Sequence, residues 1–161
     1  MAASDLSCAE AHGTGTALGD PIEAGSLAST VLMPIGGSSS VGLGGGKANV
    51  GHAEPAAGAT GMLKLALQLQ HALIAPNAHL RLLNPHVGSA IGGLSCALSQ
   101  QAQPCSGVAG GVSSFGYSGT IAHAVLQHVA HTLDQPAGAA PAPTVLAYKR
   151  RVFTWREDAA R

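Results

Sequence analysis

Residues 42–74 read GLGGGKANVGHAEPAAGATGMLKLALQLQHALI, and the change of texture along this stretch decides the fold class. With the preceding Ser-Ser-Val, its start is a short apolar run of the kind that makes a buried strand, and three consecutive glycines end it. From Pro55 to Ile74 apolar residues fall on nearly every face, which predicts a buried helix opening near Pro55. Its small residues Ala56, Ala57, Gly58 and Gly61 would let another backbone approach closely. Strand, glycine turn, buried helix is half of an α/β unit.

The flanking sequence repeats the scheme. Residues 5–16, DLSCAEAHGTGT, read as a short strand running into a glycine- and threonine-rich turn. Residues 19–30, GDPIEAGSLAST, carry a helix start, with Asp20 as N-cap, Pro21 at the first helical position and Glu23 three after the cap. That helix should stop before Pro34 and the Gly36-Gly37 pair. From LNPHVGS at 83–89 to QQAQP at 100–104 the chain reads as loop. Residues 106–129 then resemble two strands joined by a glycine-rich turn. Residues 134–143, DQPAGAAPAP, have the composition of a linker. The rest, 144–161, is a basic and aromatic tail holding five of the eight Lys and Arg residues. No internal repeat is visible.

Composition narrows the function classes. The 161 residues suffice for one domain, 46% of them hydrophobic and only 10% charged, so the chain is mostly buried or leans on a partner. A formal net charge of zero argues against nucleic acid as the main ligand. Cys8, Cys96 and Cys105 are odd in number and lack CxxC spacing, which suits a reducing, cytoplasmic or organellar compartment. No run approaches a membrane span, and there is no signal-peptide pattern.

Three chemistries compete for the glycine-rich turn. A phosphate-binding loop needs GxxxxGK before Ser or Thr, but Val41 holds the first glycine position and Ala48 follows Lys47, so that reading fails. A zinc deaminase would show HxE and PCxxC; His52-Ala53-Glu54 and Pro104-Cys105 match in part, but Val108 replaces the second cysteine. No metal site is expected, and His71, His79, His86, His123, His128 and His131 read as solvated or hydrogen-bonded residues. Acyl chemistry fits better. A helix N-terminus favours a neutral imidazole, which can donate to a carbonyl oxygen gaining charge. His52 lies at one such strand-to-helix turn with Lys47 nearby, and His12 lies at another, where glycine lets a substrate approach the backbone.

Three blocks sharpen this: EAHGTGTALGDPIEAGSL at 10–27, GGGKANVGHAEPAAGATGMLK at 44–64 and GVSSFGYSGTIAHAVL at 111–126. In this order they resemble the β-ketoacyl synthase (ketosynthase) domains of modular polyketide synthases, and they cover most of residues 8–126. The resemblance implies the C-terminal lobe of a thiolase-like α/β fold, with a mixed five-stranded sheet covered by helices. It assigns 1–133 to the ketosynthase and 148–155, YKRRVFTW, to a segment that follows it.

What the resemblance implies for function is decarboxylative Claisen condensation of acyl and malonyl-type thioesters. In that family a cysteine holds the acyl chain while two histidines promote decarboxylation. Those histidines fall on His12 and His52, which would stabilise the enolate, and the motif lysine falls on Lys47, held near His52 and tuning the charge there. Glu54 would fix Lys47 or a water, or act as a helix N-terminal carboxylate. Phe115 matches a residue that gates the acyl pocket. Thr14, Thr16, Asn49 and Gly116 would support the site. The implied partners are acyl carrier protein, whose phosphopantetheine carries the substrates with no cofactor bound directly, an N-terminal ketosynthase lobe, and a second copy in the intact enzyme. Two departures stand out. Ile121 replaces the usual Asn, removing an amide from the 116–121 loop. The nucleophile motif resembling DTACSSS is absent, and the three cysteines are no substitute, so the chain alone should be inactive. The alternative is a non-catalytic remnant or a docking partner, distinguished by whether upstream sequence encodes the cysteine lobe.

Overall fold

A computed structural model of the chain describes residues 5–37 and 40–129. The expected linker at 134–143 and tail at 144–161 lie outside the described residues. Five strands build the main sheet: β1 (Leu6–Glu10), β2 (Val41–Gly44), β4 (Cys96–Leu98), β6 (Ala109–Phe115) and β7 (Ile121–Gln127), in the order β4-β2-β1-β6-β7. The first three junctions are parallel and β6–β7 is antiparallel, so the sheet is mixed as expected. Two short strands, β3 (Leu73–Ile74) and β5 (Gln103–Pro104), pair separately.

The strand period of two sorts side chains onto two faces. Cys8 packs with Leu65, Leu69, Ile74 and Val112 on one face, under helix α4 (Ala57–His71). Val41 and Leu43 pack on the other with Ala24, Leu32 and Ile91, under α1 (Gly19–Leu27) and α5 (Pro85–Ile91). Small residues set the spacing of the α4 layer: a Cβ on Gly61 would come within 3.2 Å of Val112, and one on Gly58 within 2.9 Å of Ser114. The close approach expected for these glycines is to β6.

Several expectations need correction. The helix begun at α1 does not stop before Pro34. It widens into a π-helical turn (Ala28–Leu32), resumes as α2 (Met33–Ile35), and ends where Gly36 takes φ +64°. Pro34 lies just past the π turn in this continuous helical run, where it has no N–H to donate to the preceding turn. Nor is α4 buried all round. Only Gly61, Leu65, Gln68 and Leu69 are buried, while Met62, Leu63 and Leu67 are 46%, 63% and 53% exposed. Its last expected residues, Leu73 and Ile74, are strand β3, because Ala72 ends the helix in a left-handed conformation at φ +50°. The expected loop between 83 and 104 contains α5, capped by Asn84 accepting from the His86 N–H at 2.9 Å, as well as β4 and β5. The 116–121 turn keeps its closure without an amide at Ile121: the Gly116 N–H donates to Thr120 O at 2.7 Å, and the Gly119 N–H to Gly116 O at 3.0 Å.

Candidate active site

The parallel strands β1 and β2 end side by side, and the turns that leave them carry the candidate residues. Glu10 closes β1, and His12 follows two residues later. After β2, Gly46 caps the short helix α3 (Lys47–Val50), so Lys47 opens that helix beside the β1 turn. His52 lies just past α3, and a 3-10 turn (Glu54–Ala56) leads from there into α4. Phe115 arrives from the end of β6, the other neighbour of β1.

The structure brings His12, Lys47, His52 and Phe115 together. The His12 and His52 rings stand edge to face with centroids 5.7 Å apart, and His12 lies 5.3 Å from the Phe115 ring. Lys47 Nζ is 3.2 Å from His12 Nδ1 and also donates to the His12 carbonyl. An ammonium has no lone pair, so His12 Nδ1 accepts and the neutral ring carries its proton on Nε2. The Glu54 N–H donates to His52 Nδ1 at 3.0 Å, which places the proton of the neutral His52 ring on Nε2 as well. Both rings therefore have an Nε2–H to offer.

Charge around His12 favours the neutral form. Burial, then the Lys47 cation, then His52 push its pKa below the ordinary imidazole value, against a weaker opposing pull from Asp20. Burial also pushes the Lys47 pKa down, against the carboxylates of Glu23, Glu10 and Asp20. Lys47, expected near His52, is bonded to His12, and Glu54 is not among the carboxylates acting on it. Glu54 instead stands in the first turn of a 3-10 helix, the helix N-terminal placement that is its other expected reading. Glu54 is exposed, with φ at +42°, and its main-chain N–H is what meets His52.

Two carboxylates that sequence reasoning does not assign to the site hold these turns in place. Glu23 accepts from the His12 N–H at 2.7 Å and the Gly13 N–H at 2.9 Å. The box expected at the start of its own helix is not formed: α1 begins at Gly19, and Asp20 accepts from the Gly15 N–H at 3.1 Å. Burial raises the Glu23 pKa, while the two N–H donors oppose that rise. Glu10, 2% exposed, accepts from the Gly46 N–H and from Lys64 Nζ. No signal in the sequence joins Glu10 to Lys64, which lies 54 residues away. The glycines do carry a trace of the pair: a Cβ on Gly44 would stand 2.8 Å from Lys64 Nζ, and one on Gly46 2.9 Å from Glu10 Oε1. Gly44 and Gly46 leave the space that this part-buried ion pair occupies.

The supporting residues are more peripheral. Thr14 and Thr16 share a hydroxyl contact at 3.3 Å, and Thr16 accepts from the Gly19 N–H. Asn49 donates to Pro76 O at 3.0 Å. Gly116 lies in the β6–β7 turn. Phe115 and Glu23 help line a cavity of about 630 Å³ between α1 and the β6–β7 hairpin. Burial pushes the Cys8 thiol up to about 12, with further contributions from Cys105, and burial raises Cys96. Neither is poised as a thiolate. Among the described residues no cluster of three or more His, Cys, Asp or Glu could hold a metal ion, and no helix is long and apolar enough to cross a membrane.

Known proteins share this arrangement of sequence and fold. The family model for the β-ketoacyl synthase C-terminal domain matches residues 1–81, which include His12, Lys47 and His52. The chain is 39% identical over 149 residues to a phenolphthiocerol/phthiocerol polyketide synthase of Mycobacterium tuberculosis, covering 91% of this chain and 8% of that protein. It is 38% identical over 151 residues to polyketide synthase ThaG of Burkholderia thailandensis, covering 88% and 3% respectively. The oxazolomycin ketosynthase domain OzmH KS7 of Streptomyces albus superposes with a TM-score of 0.70 at 34% identity, covering 80% of this chain and 23% of that one. Ketosynthase twelve of the bacillaene polyketide synthase of Bacillus amyloliquefaciens gives 0.71 at 33%, covering 78% and 23%. The chain thus spans under a tenth of these curated relatives and about a quarter of the solved ketosynthase chains.

Proposed function

The chain belongs to the β-ketoacyl synthase family as a C-terminal ketosynthase domain of the polyketide synthase type, and from that premise we propose that it supplies the decarboxylation half of a condensing site. The observation that carries the reading is the meeting of His12 and His52 edge to face, with each Nδ1 occupied as an acceptor, so that each ring has its Nε2–H left to donate.

In the proposed reaction a malonyl-type thioester on the phosphopantetheine of acyl carrier protein places its carbonyl oxygen between the two donors. The bond from the α-carbon to the carboxylate breaks, carbon dioxide leaves, and the electron pair forms an enolate whose oxygen the two N–H groups stabilise. The α-carbon then attacks an acyl thioester held on a cysteine of an N-terminal lobe, forming the new C–C bond and releasing the thiolate. Donors fixed before charge develops need no reorganisation as the barrier is crossed. Lys47 keeps His12 in the donating tautomer, and Phe115 gates the cavity for the acyl chain. The apolar residues Met62, Leu63 and Leu67 on α4 suit a surface covered by that second lobe.

The test joins this chain to a ketosynthase N-terminal lobe carrying the cysteine and measures carbon dioxide release from malonyl-acyl carrier protein. Release that survives the double change His12→Ala/His52→Ala would refute the reading. The chain alone, incubated with an acyl thioester, should acquire no stoichiometric acyl adduct by intact mass.

A further inference from the structure

Glu10 presents a buried negative charge close to Lys47. Its Oε1 accepts from Gly46 N–H, the residue directly before Lys47, and its field acts on the Lys47 ammonium. Lys47 nevertheless donates to His12, and Glu10 is instead paired with Lys64, whose side chain is 16% exposed against 1% for Glu10. A buried carboxylate without a partner is costly and draws in whatever cation can reach it. From this geometry we infer that Lys64 is a positioning residue: by occupying Glu10 it leaves Lys47 on His12, and so sets which ring nitrogen of His12 carries the proton.

The architecture supports a dedicated device. Lys64 comes from α4 and Glu10 from the end of β1. Gly44 and Gly46 leave room for the pair: a Cβ at either position would press on the Lys64 ammonium or the Glu10 carboxylate and shift it. Lys47 starts α3 from Gly46, so one carboxylate both anchors the turn that bears Lys47 and competes for its charge. The other charged or titratable groups facing His12 are His52 and, from α1, Asp20 and Glu23. None of these pairs with Glu10 in place of Lys64.

This inference rests on the proposed role of His12 but is tested apart from it, on the full 161-residue chain. Nitrogen-15 NMR of the imidazoles reads the His12 tautomer and titration midpoint in Lys64→Gln, which keeps a donor for Glu10 but removes the charge. The expected result is a His12 signal moving from the Nε2–H form towards a tautomer mixture, with its midpoint at higher pH, because Lys47 turns towards Glu10. Adding Glu10→Gln removes the competing charge and should restore the wild-type tautomer and midpoint. A purely structural pair predicts the opposite, a double variant as perturbed as the single. An unchanged His12 in Lys64→Gln overturns the inference, as does failure of Glu10→Gln to restore it. Should Lys64→Gln not fold, Lys64→Met takes its place as the charge-removing variant in the same comparison, with the same results for and against. A failure of the decarboxylation reading would leave these spectra unaffected, so the two can be told apart.

Discussion

The turns bearing His12 and His52 bring their rings together edge to face, but they are held in different ways. The His12 turn is gripped by two charged side chains. Glu23 takes two of its N–H groups, and Lys47 caps both its carbonyl and its ring. His52 is exposed, and the bond to its ring comes from its own neighbour, the Glu54 N–H, in a turn where Gly51 has φ +79° and Glu54 φ +42°. One histidine is fixed by the charges of this lobe. The other is held by local main-chain geometry at an open surface. Equal chemical roles therefore need not imply equal structural support, and the two turns should respond differently to substitution.

The sharpest way to break this comparison is in the joined two-lobed enzyme. His12→Ala and His52→Ala should each slow decarboxylation by roughly 10²–10³, the loss of about 2.7–4 kcal/mol expected for one oxyanion donor. Acyl transfer to the cysteine should suffer far less. If acylation falls as much as decarboxylation, both rings are structural and the proposed division of labour is wrong.

Stability should separate the turns next. Glu23→Ala leaves two N–H groups without their acceptor and should cost about 2 kcal/mol in chemical denaturation. Glu54→Gly relieves a left-handed conformation at an exposed site and should raise stability by about 0.5–1 kcal/mol. Equal losses from both would show that the His52 turn is as firmly built as its counterpart.

The smallest effect is electrostatic. Lys47→Met removes the second-largest cause of the depressed His12 pKa but leaves burial in place, so the midpoint should rise without fully reaching that of a free imidazole. The sign carries into stability. A folded-state pKa below the unfolded one means the unfolded chain takes up the proton first, so this contribution is intact above about pH 6.5 and lost as pH falls below it. Proton NMR titration and denaturation at descending pH check both, and Lys47→Met should flatten the acid limb slightly.

Much of this is legible in the chain. The strands at 6–10, 41–44, 109–115 and 121–127 and the start of α4 follow from apolar runs broken by glycine, while the pairing of His12 with His52 comes from the motif resemblance. What escapes depends on partners distant in sequence. Glu23 has the spacing of a capping residue, and only the fold shows it turned towards residues 12 and 13. Glu10 reads as a polar position in a strand until Lys64 is placed against it. The α4 pattern signals burial all round, but apolar content alone does not say which partner covers each side. The α5 helix carries a readable cap in Asn84-Pro85, yet its seven residues are too short for a clear period.

The order of the strands also governs how the domain must fold. Strand β1, the earliest of the five in sequence, sits at the centre of the sheet, and one of its partners, β6, pairs Cys8 with Gly110 across about a hundred residues of chain. Closing so long a loop carries an entropic cost before its contacts can repay it, and such pairings slow folding. As the polypeptide emerges from the ribosome, β2 reaches β1 well before β6 does, leaving the other edge of β1 open until β6 and β7 follow. The nascent sheet passes through a stage with an unsatisfied apolar strand edge, so its hazard of aggregation is highest during synthesis and falls once the last hairpin docks.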